Sequence, residues 1–178
     1  MTFDAGKFEI TNMPVNWNAL VKEHGRMIFQ TAMRVLDNAA DAEEVVQEVF
    51  LKVISGNQID RIRNWGAYFR RLAIYAALDR RRRFRQEHPH SLESLATWNS
   101  SPFDDAVRRE LAEHLRSVIA ALPEREGAVF ALRYFDQLSN SEIATVLEIS
   151  TGAVAAAIHK VRVKLDVVLS NSSKGESQ

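Results

Sequence analysis

Apolar residues along most of this chain recur with helical spacing. Trp17, Leu20, Val21, Met27, Ile28, Ala32, Val35 and Leu36 follow the i, i+3, i+4, i+7 rule and predict an amphipathic helix. A second helix is predicted from Asp41, with Val45, Val46, Val49, Phe50, Val53 and Ile54 as its apolar stripe, ending at Ser55, Gly56 and Asn57. A third is predicted from Asn64, its N-cap, to about Arg85, with Trp65, Tyr68, Phe69, Leu72, Ala73 and Ala76 for packing. These three would form one bundle over residues 17–86, preceded by an extension over 1–16. Between Gln86 and Pro102 the periodicity lapses into two prolines, four serines and two histidines, which reads as a linker over 87–103. Leu92, Leu95 and Trp98 would tack it to a surface. Helical spacing resumes from Asp104 through Ala106, Leu111, Leu115, Val118, Ile119 and Leu122, and stops at Pro123. Further short helices fill a second domain over 104–170, and the polar tail 171–178 is expected to fray. The fold class is therefore all-α, with two small helical domains. Seven glycines and four prolines in 178 residues disfavour a turn-rich β fold.

Charge alters the picture more than composition does. Twenty-three basic and twenty-three acidic residues cancel, yet they are segregated. Asp37, Asp41, Glu43, Glu44 and Glu48 form an acidic block; nine arginines against Asp79 fill 61–85; Glu87, Glu93, Asp104 and Asp105 follow without a lysine or arginine between them. Lys160, Arg162 and Lys164 form a smaller basic group. Blocks of one sign face partners of the other, so neutrality does not exclude nucleic acid. The four consecutive arginines, with Arg85, would repel one another without counterions, and a polyphosphate supplies them. Trp65, Tyr68, Phe69 and Tyr75 offer stacking surfaces for unpaired bases, although Trp65 and Tyr68 equally suit a core. The acids at the start of the second helix also suit its macrodipole, with Asp41 as cap and Glu44 completing a capping box.

No apolar run approaches the ~18 residues of a membrane span, and the N-terminus has no signal-peptide core, so no membrane insertion is expected. The absence of cysteine excludes disulfides and thiolate sites and suits a reducing cytoplasm. His88 and His90 have no third ligand nearby, and no phosphate-binding loop or nucleophile elbow occurs. Neither a metal, a cofactor nor an enzymatic activity is expected.

Near the C-terminus, Ser141 to Leu147, the turn Glu148 to Ser150 and the helix Thr151 to Leu165 have helix-turn-helix spacing. Val154, Ile158, Val161 and Leu165 would pack on Ile143, Ala144 and Leu147, leaving Gly152, Ala156, His159 and Lys160 outward. Spacing alone fits a DNA-binding module and an ordinary helical hairpin equally. Leu122-Pro123-Glu124-Arg125-Glu126, Val129 to Phe135 and Leu138 to Ala144 together resemble region four of bacterial sigma factors. Asp41 to Phe50 resembles the region-two signature of the extracytoplasmic-function group, and Leu72-Ala73 with Leu78-Asp79-Arg80-Arg81-Arg82-Arg83 continues it in order. The resemblance covers roughly Trp17 to Leu169.

That resemblance implies a sigma factor that binds core RNA polymerase and directs recognition and melting of promoter DNA. It assigns core-polymerase binding to Asp41, Glu44, Gln47 and Glu48, with Phe50 in the core. It assigns the minus-10 element to Arg61, Arg63, Trp65, Arg70, Arg71, Tyr75, Arg80, Arg81, Arg82 and Arg83, and the minus-35 element to Thr151, Ala155, Ala156, His159, Lys160, Arg162 and Lys164. The linker would thread towards the RNA path, and an anti-sigma factor is a further partner the resemblance implies. Two departures stand out. Tyr75 replaces the family's usual asparagine, and a phenol lacks an amide's paired donor and acceptor. The recognition helix reads Gly152-Ala153-Val154-Ala155-Ala156-Ala157, and alanine cannot make bidentate base contacts. Glu148 moreover stands where the family commonly has a turn glycine. Weak minus-35 reading, through phosphates and shape, is the expectation. A stand-alone helix-turn-helix regulator and a helical protein adaptor are the competing functions.

Overall fold

The structure is a computed structural model that describes residues 15–56, 59–87, 116 and 118–174; within this set the side chains of Asp60 and of residues 167–174 are not described. The expected linker side chains, including His88, His90, Glu93, Asp104 and Asp105, lie outside the described residues. Helix α1, Trp17–Leu36, begins where Asn16 Oδ1 accepts from the Ala19 amide at 3.0 Å, and ends where Asp37 turns left-handed at φ 54°. Helix α2, Ala39–Ile54, starts earlier than expected. Asn38 is its cap, accepting from the Asp41 amide at 3.2 Å, so Asp41 neither caps the helix nor forms a capping box with Glu44. Two short polar side chains close together both satisfy the sequence rule, and Asn38 reaches the free amide. Ser55 ends α2 by donating its hydroxyl to the Leu51 carbonyl at 2.8 Å.

A 3-10 turn, Ile59–Arg61, leads to α3, Trp65–Glu87, which Asn64 caps as expected through the Ala67 amide at 2.9 Å. Phe69 is wholly buried at the centre of this bundle. The rings of Phe50, His24 and Trp65 surround it at 5.0, 5.2 and 5.5 Å between centroids. Trp65 and Tyr68 both pack partly against the core.

Residues 118–121 are helical, and Pro123 opens α4, Glu124–Tyr134. Helix α5, Asn140–Leu147, has a complete capping box between Ser139 and Glu142. Helix α6, Thr151–Lys174, begins with Ser150 Oγ accepting from the Ala153 amide at 3.1 Å. It runs through residues 171–174, which were expected to fray. No glycine or proline occurs between Ala153 and Lys174 to stop it. Val154, Ala157 and Val161 pack α6 onto Ile143, Val146 and Leu147 of α5, with Val129 and Leu132 of α4 beneath.

The two units share one continuous core. Helix α3 packs against α1 and α2 on one side and against α4 and α5 on the other. Leu78 is fully buried at this junction, and a Cβ at Gly127 would stand 3.6 Å from its Cδ1. The tighter neighbour of that Cβ is the Ile119 carbonyl oxygen at 3.3 Å, so Gly127 eases the approach of α4 to the helical turn at 118–121, a use of glycine that periodicity cannot reveal.

Candidate functional site

Helix α2 presents one acidic outer face. Glu44, Gln47 and Glu48 are exposed and Asp41 is half-buried. Phe50 points inward, as expected. Beside these polar groups stands Leu51, 66% exposed, which lies outside the expected contact set. Its position one turn beyond Gln47 and Glu48 is the signal that periodicity contained and charge obscured. A large apolar side chain ringed by Gln47, Glu48 and Lys52 has the make-up of a protein-contact patch.

The arginine run of α3 does not form a bare cation cluster. Arg80 bridges back to α2, with Nε 2.8 Å from Asp41 Oδ1 and an NH2 pair to Glu44. Burial works against its charge, yet the hydrogen bonds to Asp41 and Glu44 prevail and hold its pKa above the usual arginine value. Arg83 pairs with Asp79 one turn earlier. Arg82 reaches across to donate to the carbonyls of Ala120 and Leu122 at 3.3 and 3.1 Å. Arg81 is buried, and that burial, followed by the nearby Arg116, lowers its pKa. The expectation that this run lacks protein counterions is thus corrected: residues far away in sequence supply acceptors.

The rest of the expected minus-10 set divides in two. Arg61 and Arg63 are exposed beside the 3-10 turn and border an open crevice shared with Tyr68, Arg71, Thr145 and Glu148. Arg70, Arg71 and Tyr75 face the second unit. Arg71 pairs with Glu148 and lies over the Tyr68 ring at 5.4 Å. Arg70 Nε stands 3.7 Å from Asp136 Oδ2. Tyr75 is half-buried, and burial first, then Glu124, raises its pKa. Trp65 stacks on Phe69. The structure therefore brings Arg61, Arg63 and Arg71 to one crevice, while Arg70 lines a neighbouring one with His24, Leu138 and Glu142. It places Trp65 partly in the core and turns Arg80, Arg81 and Arg82 towards protein partners.

On α6, Thr151, Ala155, Ala156, His159 and Lys160 are exposed along one side, as the helix-turn-helix spacing predicts. Arg162 Nε donates to the Tyr134 hydroxyl at 3.2 Å, and Lys164 Nζ lies 2.6 Å from Glu126 Oε2. Those two cations are steadied by α4, and His159 and Lys160 are exposed on the same helix. The turn before α6 carries Glu148 at φ 55°, a left-handed conformation unusual for a side-chain-bearing residue. Among the described residues no cluster of three metal-ligating side chains occurs, and no single helix is long and apolar enough to cross a membrane.

Comparison with known proteins agrees with this layout. Residues 20–87 match the family model of sigma-70 region 2, and residues 112–165 that of sigma-70 region 4. The chain is 29% identical over 147 residues to the ECF RNA polymerase sigma factor SigW of Bacillus subtilis, covering 76% of this chain and 79% of that one. It is 32% identical over 146 residues to ECF sigma factor SigL of Mycobacterium tuberculosis, covering 79% and 81%. The solved structure of CnrH in complex with the cytosolic domain of CnrY shares the fold, with a TM-score of 0.54 at 24% identity over 86% of this chain and 87% of that one. Sigma factors of this kind are non-catalytic subunits. An acidic α2 face, a cationic α3 and a helix-turn-helix thus occur in family order, and the chain belongs to the extracytoplasmic-function group of the sigma-70 family, RNA polymerase sigma factors that direct promoter-specific transcription initiation.

Proposed function

We propose how this sigma factor divides its labour among named residues. Asp41, Glu44, Gln47 and Glu48, joined by Leu51, dock α2 on a basic surface of core polymerase. Arg61, Arg63, Arg70, Arg71 and Tyr75, with the exposed Arg83, hold the minus-10 strand, while Arg80, Arg81 and Arg82 brace α3 against the protein. Thr151, Ala155, Ala156, His159, Lys160, Arg162 and Lys164 seat α6 on the minus-35 duplex. The observation that carries this reading is the segregation of charge: an exposed acidic face on α2 and, separate from it, an arginine-lined crevice at the start of α3. Two surfaces of opposite sign suit a basic protein and a polyanion.

Helix α6 positions the protein more than it reads bases. Its outward side carries alanines at 155 and 156, which contact thymine methyls at most. His159, Lys160, Arg162 and Lys164 contact phosphates. An anti-sigma factor that covers both units is part of the proposal, supported by the shared fold with CnrH, which was solved with the cytosolic domain of CnrY. The site of action is the cytoplasm, with core polymerase.

Footprinting of holoenzyme on promoters carrying single minus-35 base changes tests the α6 reading. Losses below about threefold at each position are expected, against ~1–3 kcal/mol for a good bidentate contact. A tenfold loss at any one base would overturn it.

A further inference from the structure

We infer that the cavity walled by α1, the start of α3 and α5 is a binding site for a small amphipathic monocarboxylate, with Arg70 and His24 holding its head group. The cavity measures about 460 Å³ and lies where helices of the two units meet, a common setting for small-molecule sites. Met27, Ala67, Leu138 and Val146 give it apolar walls. Two polar groups in the same wall have no hydrogen-bond partner among the described residues. Arg70 Nε is buried and unpaired, with Asp136 Oδ2 its nearest carboxylate oxygen at 3.7 Å. The Arg70 side chain as a whole is 29% exposed, so its guanidinium reaches the cavity. His24 is only 9% exposed, its ring tilted against Phe69 at 5.2 Å. Its imidazole makes no hydrogen bond, and the closest acid, Glu23 Oε1, is 3.8 Å from Nε2.

Buried polar groups are normally paired, and two orphans in the wall of one cavity call for a ligand that brings the acceptors. The other polar groups there are committed within the protein. Asn64 Oδ1 accepts from the Ala67 amide at 2.9 Å, and Thr145 Oγ1 donates to the Ser141 carbonyl at 3.0 Å. Glu142 accepts from the Ser139 hydroxyl and amide at 2.6 and 2.8 Å. The uncommitted pair is therefore a guanidinium from α3 and an imidazole from α1, and the planar fork of a guanidinium matches a carboxylate. Glu142 in the same wall repels a second negative charge, so a monoanion fits better than a dicarboxylate or a phosphate ester. The apolar walls take the hydrocarbon body. Gly66 leaves room beside the imidazole: a Cβ there would meet only Asn64 Oδ1 at 3.6 Å and His24 Cε1 at 4.0 Å. The site exists within the packed arrangement of the two units and requires no separation of them.

The full chain is titrated with phenylacetate, 4-phenylbutyrate and octanoate, with 4-phenylbutan-1-ol as the neutral control. Nuclear magnetic resonance follows the imidazole signals of the five histidines, that of His24 being identified by its loss in His24→Leu. At least one carboxylate is expected to bind saturably with a Kd below about 1 mM and to move the His24 signal alone. The alcohol should bind at least about tenfold more weakly, and Arg70→Gln should weaken the carboxylate by a similar factor, the scale of a charged hydrogen bond. Gly66→Leu fills the cavity while keeping Arg70 and His24, and should abolish binding. Each variant is checked for an intact cooperative melt, and the unsubstituted chain with its alcohol control decides the question if a variant fails to fold. No saturable binding of any of the three carboxylates would overturn the site. Equal affinity for the alcohol would overturn the head-group assignment. A response at another histidine in place of His24, or undiminished binding by Gly66→Leu, would overturn the location.

Discussion

Two left-handed residues, Gln137 and Glu148, allow the ion pair between the units to be weighed against backbone strain. Both have nearly the same φ, 57° and 55°, and both are exposed. An L-residue in this conformation costs roughly 1–2 kcal/mol, and glycine returns part of the gain as unfolded-state entropy, about 0.5–1 kcal/mol. Gln137→Gly should therefore stabilise the chain by ~0.5–1 kcal/mol, raising the melting temperature by about 1–4 °C for a chain of this size. Glu148→Gly relieves the same strain but removes the pair with Arg71. The Glu148 side chain is 71% exposed and that of Arg71 20%, so the pair contributes only about 0.2–1 kcal/mol after solvent screening. The two effects nearly cancel, and Glu148→Gly should leave stability almost unchanged at low salt. At about 1 M salt the Debye length shrinks to ~3 Å, and the two variants should converge. Urea titrations of the three proteins at both salt concentrations read this directly. If Glu148→Gly already matches Gln137→Gly at low salt, the Arg71 pair contributes nothing. If neither variant is stabilised, the strain argument fails.

Other outcomes follow from the same geometry. Phe69→Ala removes the wholly buried ring that Phe50, His24 and Trp65 enclose, and should cost about 3–5 kcal/mol in a denaturant titration. Glu142 has a pKa lowered from 4.5 by hydrogen bonds from the Ser139 hydroxyl and backbone amide. Its stabilisation of α5 is present above the unfolded value and lost as pH falls through the depressed one. Glu142→Gln should accordingly flatten the acid limb of the stability profile below about 4.5, measured by thermal melts across pH. Glu48→Lys places a cation on the exposed α2 face. It should weaken core-polymerase binding by about tenfold or more in a pull-down titration while leaving the melt unchanged.

Local rules made much of the fold legible. Periodicity predicted the bundle helices, Asn64 capped α3 as expected, and the spacing of Ser141–Leu165 placed the helix-turn-helix. The errors arose where two local signals competed or where partners were distant in sequence. Asn38 and Asp41 both satisfy the N-cap preference, and only backbone position decides between them. The arginine run read as self-repelling because its acceptors, Asp41, Glu44, Ala120 and Leu122, lie about 40 residues away along the chain. Leu51 stands one turn beyond Gln47 and Glu48, a helical-spacing signal that the charges around it outweighed. Glu148 was legible as an oddity, an acid at a glycine position, but its pairing with Arg71 required the folded chain. The recognition helix ran past its expected end because absence of a breaker is a weaker signal than presence of one.

The most direct measurement is run-off transcription with purified core polymerase on a pool of genomic promoter fragments. Core with the full chain should yield discrete transcripts that core alone does not, and Glu48→Lys should suppress them at limiting protein. A chain that neither binds core nor supports any specific transcript would contradict the account.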